Sequence, residues 1–236
     1  SRALWAEKRF FHWDLEFPEV FVDLARRDWA ENPGFDAVIG NPPYVRQEQL
    51  APLKPHFAAN FAEVYHGTAD LFVYFFAQGL RQLRAGGRLA YISSNSWFRA
   101  AYAKGLRAYL RTHMMIETLV DIGDNHVFAD AADVYPAIPV VQKTPPAPDH
   151  HAQVAIFTRG EGVKQFAEQV AAKLTPVAIH DQPDAGWQLG DDAGRRVFTK
   201  LMAAGRPLGE VVKGGIYYGV KTGSNEVFII DRATRT

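Results

Sequence analysis

Apolar and polar positions along the chain alternate between two periods. Short runs with the two-residue rhythm of a strand lie at Phe35–Gly40, Arg88–Ser93, Met115–Ile122, Ala137–Val141 and Ala152–Thr158. Stretches with apolar residues at helical spacing lie between or beside them, at Asp70–Arg84, Ala100–His113, Val163–Leu174 and Asp192–Ala204, with a further helix expected near Val20 to Glu31. Strands alternating with helices predict an α/β fold, and residues from about 35 to 143 supply the elements of half a doubly wound sheet. Thr144–Asp149 is rich in proline and reads as a loop, and Pro176–Gly190, rich in Asp, Pro and Gly, reads as connection. The pattern contains no internal repeat.

The most informative position is the end of the first strand. Asn41, Pro42, Pro43 and Tyr44 follow Gly40 directly, at the carboxyl edge of the sheet, where open α/β folds bind ligands. Each proline fixes its own φ and keeps its predecessor out of the helical region, so the loop is stiff. The Pro42 carbonyl and the Asn41 side-chain oxygen provide two acceptors for one spot. An exocyclic amino group such as adenine N6 has two hydrogens to donate, and accepting both draws its lone pair out of conjugation and makes the nitrogen a better nucleophile. Tyr44 can stack on the face of the ring, a contact worth about 1–3 kcal/mol for bases on aromatic side chains. No base is needed beforehand, because the proton can leave after transfer. Taken by itself, the tetrapeptide also suits a plain Pro-Pro turn after a buried strand.

N-P-P-Y after a strand resembles the catalytic motif of adenine-N6 DNA methyltransferases, and Phe35 to Tyr44 is most similar to the long single-chain enzymes of type IIG restriction-modification systems. Downstream segments extend the resemblance. The helix leading to Ala85, Gly86 and Gly87 and the strand after it match the family's helix, turn and strand, in which an aromatic near the helix start packs on the adenine of S-adenosylmethionine. The matching residue is Phe75, which outside that motif series would read as a core phenylalanine. Ser94–Phe98 resembles the family's P-N-S-W turn with serine in place of proline, and reads as a structural corner. Lys104, Arg107 and Arg111 on the next helix read as a solvated charged face. Gly123–Phe128 then follows the family pattern in which an aromatic stacks on the flipped-out base opposite the N-P-P-Y tyrosine. The resemblance assigns this role to Phe128, with Tyr135 as the alternative. The tail Gly215–Asp231 looks like the opening of the target-recognition domain, with Lys221, Thr222 and Asn225 as candidate DNA contacts.

The resemblance implies an α/β fold comprising the C-terminal half of a Rossmann-like class I S-adenosylmethionine-dependent methyltransferase sheet, followed by the start of a target-recognition domain. Residues 1–34 are then an entry segment, 35–175 a partial catalytic domain, and 176–236 connection and the start of the recognition domain. The expected cofactor is S-adenosyl-L-methionine, and the expected partners are double-stranded DNA and the remainder of a parent polypeptide. Residues 1–40 contain no glycine-rich turn of the kind that binds this cofactor, and Gly34 is the only glycine before Gly40. The opening Phe11–Phe21 resembles the segment just upstream of the catalytic motif. The chain therefore reads as an internal piece, inactive alone. Two alternatives stand beside this reading. The same motif could act on RNA or on a protein glutamine, or the chain could be a non-catalytic DNA-binding remnant.

Composition narrows the reading further. Twenty-six basic and twenty-six acidic residues among 236 give a formal charge of zero, so DNA binding would depend on local patches rather than on a global field. The chain has no cysteine, which excludes disulfides, thiolate metal sites and the cysteine nucleophile used to methylate carbon 5 of cytosine. The eight histidines have no metal-ligand spacing, and no metal is expected. With no signal peptide or long apolar run, the expected setting is the cytoplasm, without a membrane partner.

Overall fold

The computed structural model describes residues 11–125, 127, 135–190, 192–206, 208–213 and 215. Phe128, Lys221, Thr222 and Asn225 lie outside the described residues. The chain divides into two units, Ser1–Leu189 and Gly190–Thr236.

The first unit is built on a mixed sheet. Its principal strands are β1 (Phe35–Gly40), β2 (Leu83–Tyr91), β3 (Met115–Asp121), β4 (Pro136–Gln142), β5 (Ala152–Ile156) and β6 (Thr175–Val177). Their spatial order is β1-β2-β4-β3-β5-β6, and the short strand Ser93–Ser94 pairs with the start of β4. β1 and β2 are parallel, β3 and β5 are parallel, and β4 runs against both of its neighbours. As a result β1, β2 and β3 all end on one edge. The segments 41–46 and 92–100 that follow β1 and β2, and residues 122–125 after β3, gather there, at the ligand-binding edge of an α/β sheet.

Among the described residues of this unit, the α-helices of more than one turn are α1 (Lys54–Asn60), α2 (Leu71–Gln82), α3 (Lys104–His113) and α4 (Phe166–Lys173). α2 and α3 contribute Phe72, Val73, Phe76, Leu80, Leu106 and Leu110 to the main core, where they join Leu89, Ile116 and Leu119 of the strands. Successive residues of β3 serve opposite faces, as the two-residue pleat requires. Leu119 belongs to the main core, whereas Val120 packs with Phe157 in a second cluster under Phe166 and Val170 of α4. A bare α-carbon at Gly79 lets α2 close on β2, because an added Cβ would overlap the Tyr91 hydroxyl and lie 2.7 Å from Leu89 Cδ1.

Three expectations are corrected here. The helix expected near Val20 to Glu31 is a one-turn helix, Pro18–Phe21, followed by a hairpin pairing Val22–Asp23 with Asp28–Trp29. The Asp23 carboxylate accepts from the Ala25 and Arg26 amides at 3.0 and 3.1 Å, and Arg27 takes φ +54°, so the chain turns where the helix would continue. The face of α3 is not uniformly solvated. Arg107 is fully buried and donates to the carbonyls of Trp97 (2.6 Å), Ala100 (2.8 Å) and Asp184 (2.9 Å). Nor is the stretch after Pro176 mere connection, because Trp187 is fully buried with its ring 5.4 Å from Trp97, edge to face. In both cases a large side chain meets elements distant in sequence, which local composition does not reveal.

The second unit, taken by itself, contains the helices Asp192–Ala204 and Leu208–Val211. Among the described residues no helix is long and apolar enough to cross a membrane, and no cluster of three or more potential ligands could hold a metal ion.

Candidate functional site

The N-P-P-Y loop is held at both ends by backbone bonds. The Ile92 amide donates to the Gly40 carbonyl at 3.1 Å and the Leu71 amide donates to the Val45 carbonyl at 3.1 Å, which fastens the loop between β2 and the first residue of α2. Within the loop the Val45 amide donates to the Pro43 carbonyl at 3.1 Å. Pro42 is buried, and Asn41 and Pro43 are exposed. The stiffness read from the two prolines is therefore matched by tertiary anchoring just outside them.

Two clefts flank this loop. The first, of about 270 Å³, is mainly apolar and contains Asn41, Pro42 and Phe75 in its wall together with Val38, Ile39 and Trp13. Phe75, Gln78, Gly79 and Gln82 of α2 line it at positions i, i+3, i+4 and i+7, one face of the helix. Phe75 is 38% exposed although Phe72, Val73, Tyr74, Phe76 and Ala77 around it are buried, so its ring is a cleft wall rather than core. Ile39 is 81% exposed on β1, which among the described residues pairs only with β2. The apolar cleft opens beside that bare strand. Burial raises the Tyr91 phenol above its ordinary range at the back of the cleft.

The second cleft, of about 350 Å³, is the more polar of the two, with Val45 and Phe72 also in its wall. Tyr44 lines it with Arg46, Glu48, Asp70, Ser94, Ser96 and Tyr102. Tyr44 is 38% exposed, and partial burial raises its phenol. A continuous chain of hydrogen bonds runs along the wall. The Gln47 amide donates to Asp70 Oδ1 at 3.0 Å, and the Tyr102 hydroxyl donates to Asp70 Oδ2 at 3.4 Å. Tyr102 is 2.8 Å from Ser96 Oγ, and the Ser94 hydroxyl donates to Ser96 Oγ at 2.8 Å. Burial pushes the Tyr102 phenol up to about 12, with the Asp70 carboxylate adding to the effect. Burial likewise lifts the Asp70 carboxyl above its usual range, against the lowering effect of the Gln47 amide and Tyr102.

Of the residues singled out in the sequence, Asn41, Pro42 and Phe75 meet in one cleft and Tyr44 stands in the other. Tyr135, 44% exposed, immediately precedes β4 at the same edge of the sheet. Sequence reasoning missed Trp13, Gln78 and Gly79 in the first cleft and Asp70, Ser96 and Tyr102 in the second. For the helix face the signal was present, since a glycine and two glutamines follow Phe75 at helical spacing inside an apolar run. Nothing in the local sequence could have joined Asp70 to Tyr102.

Fold and site together define an α/β domain in which two clefts flank a doubly anchored loop on the carboxyl edge of the sheet. The chain belongs to the Eco57I restriction-modification methylase family, whose model matches residues 2–128. It is 37% identical over 127 residues to the Type II methyltransferase M.XhoI of Xanthomonas vasicola, covering 52% of this chain and 23% of that protein. It is 34% identical over 110 residues to the Type II methyltransferase M.PaeR7I of Pseudomonas aeruginosa, covering 46% of this chain and 19% of that protein. The matched part thus spans less than a quarter of the length of either relative. Among solved structures, the DrdV–DNA complex aligns over 68% of this chain and 19% of its own, with a TM-score of 0.49 and 15% identity.

Proposed function

We propose that this chain is part of an adenine-N6 DNA methyltransferase of the restriction-modification kind, and that Asn41, Pro42, Pro43 and Tyr44 form its catalytic loop. The observation that carries the reading is the position of that loop between two clefts of different lining. One is mainly apolar and walled by an exposed Phe75, and the other carries Arg46, Glu48, Asp70 and two serines and is walled by Tyr44.

The apolar cleft fits a flat heterocycle. At about 270 Å³ it lies below the ~300–1,000 Å³ of sites that enclose a whole drug-sized ligand. Phe75 and Ile39 offer faces to a ring, and Gln78 and Gln82 offer polar atoms. These residues suit the adenine end of S-adenosylmethionine, which when bound supplies an electrophilic methyl group on a sulfonium. The glycine-rich turn and acidic residue that would hold the rest are proposed to belong to other parts of the parent polypeptide, together with most of the target-recognition domain. Lys221, Thr222 and Asn225 are proposed DNA contacts of that domain's opening.

Asn41 Oδ1 and the Pro42 carbonyl accept the two hydrogens of the target amino group, and Tyr44 stacks on the base, with Phe128, or less favourably Tyr135, on the opposite face. Accepting both hydrogens localises the lone pair on nitrogen for attack on the methyl carbon. The carbon–sulfur bond breaks with its electron pair on sulfur, and the nitrogen loses its extra proton to water afterwards. A cytoplasmic setting follows from a DNA substrate. The RNA, glutamine and non-catalytic alternatives gain no support from the relatives found.

The test is methyl transfer from labelled S-adenosylmethionine to mixed-sequence duplex DNA by the full-length parent, followed by nucleoside analysis. Label in N6-methyladenine supports the reading. Cofactor-bound protein that labels no nucleoside, or labels only cytosine, overturns it.

A further inference from the structure

The turn Ser94–Asn95–Ser96, expected only as a corner, bonds to the end of β3, to the residue before β4 and to Tyr102. Its central residue bonds to both described ends of the 122–135 connection. Asn95 Nδ2 donates to Asp121 Oδ1, at the end of β3, at 2.9 Å, and the Asn95 amide donates to the Tyr135 carbonyl, just before β4, at 2.7 Å. Asp121 Oδ1 also accepts the Gly123 amide at 3.0 Å, and the Ile122 amide donates to the Pro136 carbonyl at 3.0 Å. The residues flanking Asn95 face the other way. Ser96 joins Tyr102, Asp70 and the Gln47 amide, three residues past Tyr44. Arg107, through the carbonyls of Trp97 and Ala100, holds the turn from beneath.

We infer that Asn95 is a positioning residue for methyl transfer. Through Asp121 and Tyr135 it ties the end of β3 to the start of β4, the mouth of the connection between them, and through the adjoining Ser96–Tyr102–Asp70 chain that mouth is registered against Gln47, three residues past Tyr44. This inference rests on the proposed methyltransferase reading for its kinetic consequence, but its structural content stands apart from that reading. Asn95 lines neither cleft. Its side chain is required as a donor, because Asp121 offers only acceptors and already takes the Gly123 amide.

The test uses three versions of the full-length parent: wild type, Asn95→Asp, and Asn95→Asp with Asp121→Asn. The single variant sets two carboxylates against each other. The double variant restores one hydrogen bond with donor and acceptor exchanged, while residue 121 keeps an oxygen for the Gly123 amide. Two readouts are taken. Hydrogen exchange of peptides containing Ile122 and Gly123, measured without DNA, is expected to quicken at least fivefold in the single variant and to return within twofold of wild type in the double. Fluorescence of 2-aminopurine at the target position, with kcat/KM for DNA, is expected to fall about tenfold and recover in the same order, while affinity for S-adenosylmethionine stays within twofold throughout. Unchanged exchange in the single variant, or no recovery in the double, overturns the inference. So does kcat/KM that stays at the wild-type level while exchange changes. If wild type methylates no nucleoside, the methyltransferase reading fails while the exchange series still decides whether Asn95 sets the mouth of the connection.

Discussion

The Gln47 amide donates to the Asp70 carboxylate at 3.0 Å, which ties the residue three places after Tyr44 to the residue that precedes helix α2. The Asp70 side chain makes no bond to the amides of its own helix, although it stands at the capping position, where its backbone carbonyl accepts the Val73 amide. Its side chain is turned instead to the loop, so the carboxylate joins the Leu71–Val45 backbone bond in holding α2, which carries Phe75, in register with the loop, which carries Asn41 and Tyr44.

Replacing Asp70 separates its two properties. Asp70→Ala leaves the Gln47 amide without its acceptor in a partly buried site and is expected to cost about 1–2 kcal/mol, read as a lowered midpoint in urea. Asp70→Asn keeps an acceptor and cannot ionise. Because burial raises the carboxyl in the folded state, the native protein holds its proton more tightly than the unfolded chain, so the stability contributed is present below the unfolded value and is lost as pH rises through the folded value. Thermal unfolding across the acid range should therefore show wild type losing ground to Asp70→Asn as pH increases. A wild type that gains ground would reverse the assigned direction.

Gly79→Ala is expected to destabilise by about 1–3 kcal/mol, the usual consequence of inserting a methyl group where no space exists. The added Cβ overlaps the Tyr91 hydroxyl, so Tyr91→Phe in the same chain should recover part of the loss. Chemical denaturation of the two variants and their combination measures the coupling.

Trp187→Ala is expected to cost about 3–5 kcal/mol, as for other buried tryptophans. Its fully buried ring packs on Trp97, immediately beside the turn that supplies Ser94 and Ser96 to the polar cleft. A midpoint shift below about 1 kcal/mol would show that this stretch only rests on the core.

Asn41→Ala removes one of the two proposed acceptors. By the scale of other preorganised transition-state contacts it should lower kcat by about a hundredfold or more. Asn41 is exposed, so the thermal midpoint should be nearly unchanged. Loss of activity together with loss of folding would assign the residue to structure instead.

The alternation of strand and helix, and the loop after β1, were legible because each depends on local periodicity and on proline and glycine chemistry. Phe35–Gly40 emerged as read, and the helix expected within Asp70–Arg84 runs from Leu71 to Gln82. What was illegible depends on partners distant in sequence. Arg107 reads as a surface charge until the carbonyl of Asp184 comes within 2.9 Å of it, and Trp187 sits in a segment whose prolines and glycines suggest only a linker. The hairpin at Val22–Trp29 was lost for a different reason, since apolar residues at helical spacing outweighed one aspartate that bonds its own backbone. The paired clefts could not be read at all, because Phe75 and Asp70 lie on one helix end and face different walls.

The central claim is that the N-P-P-Y loop separates two ligands, each held by its own aromatic. The direct measurement is the pair of Michaelis constants, for S-adenosylmethionine and for duplex DNA, in Phe75→Ala and Tyr44→Ala of the full-length parent. Phe75→Ala should raise the constant for the cofactor about tenfold and leave that for DNA unchanged, and Tyr44→Ala should do the reverse, in keeping with the ~1–3 kcal/mol of a base stacked on an aromatic ring. If both substitutions move the same constant, or neither moves either, the two clefts do not divide the ligands in this way and the account fails.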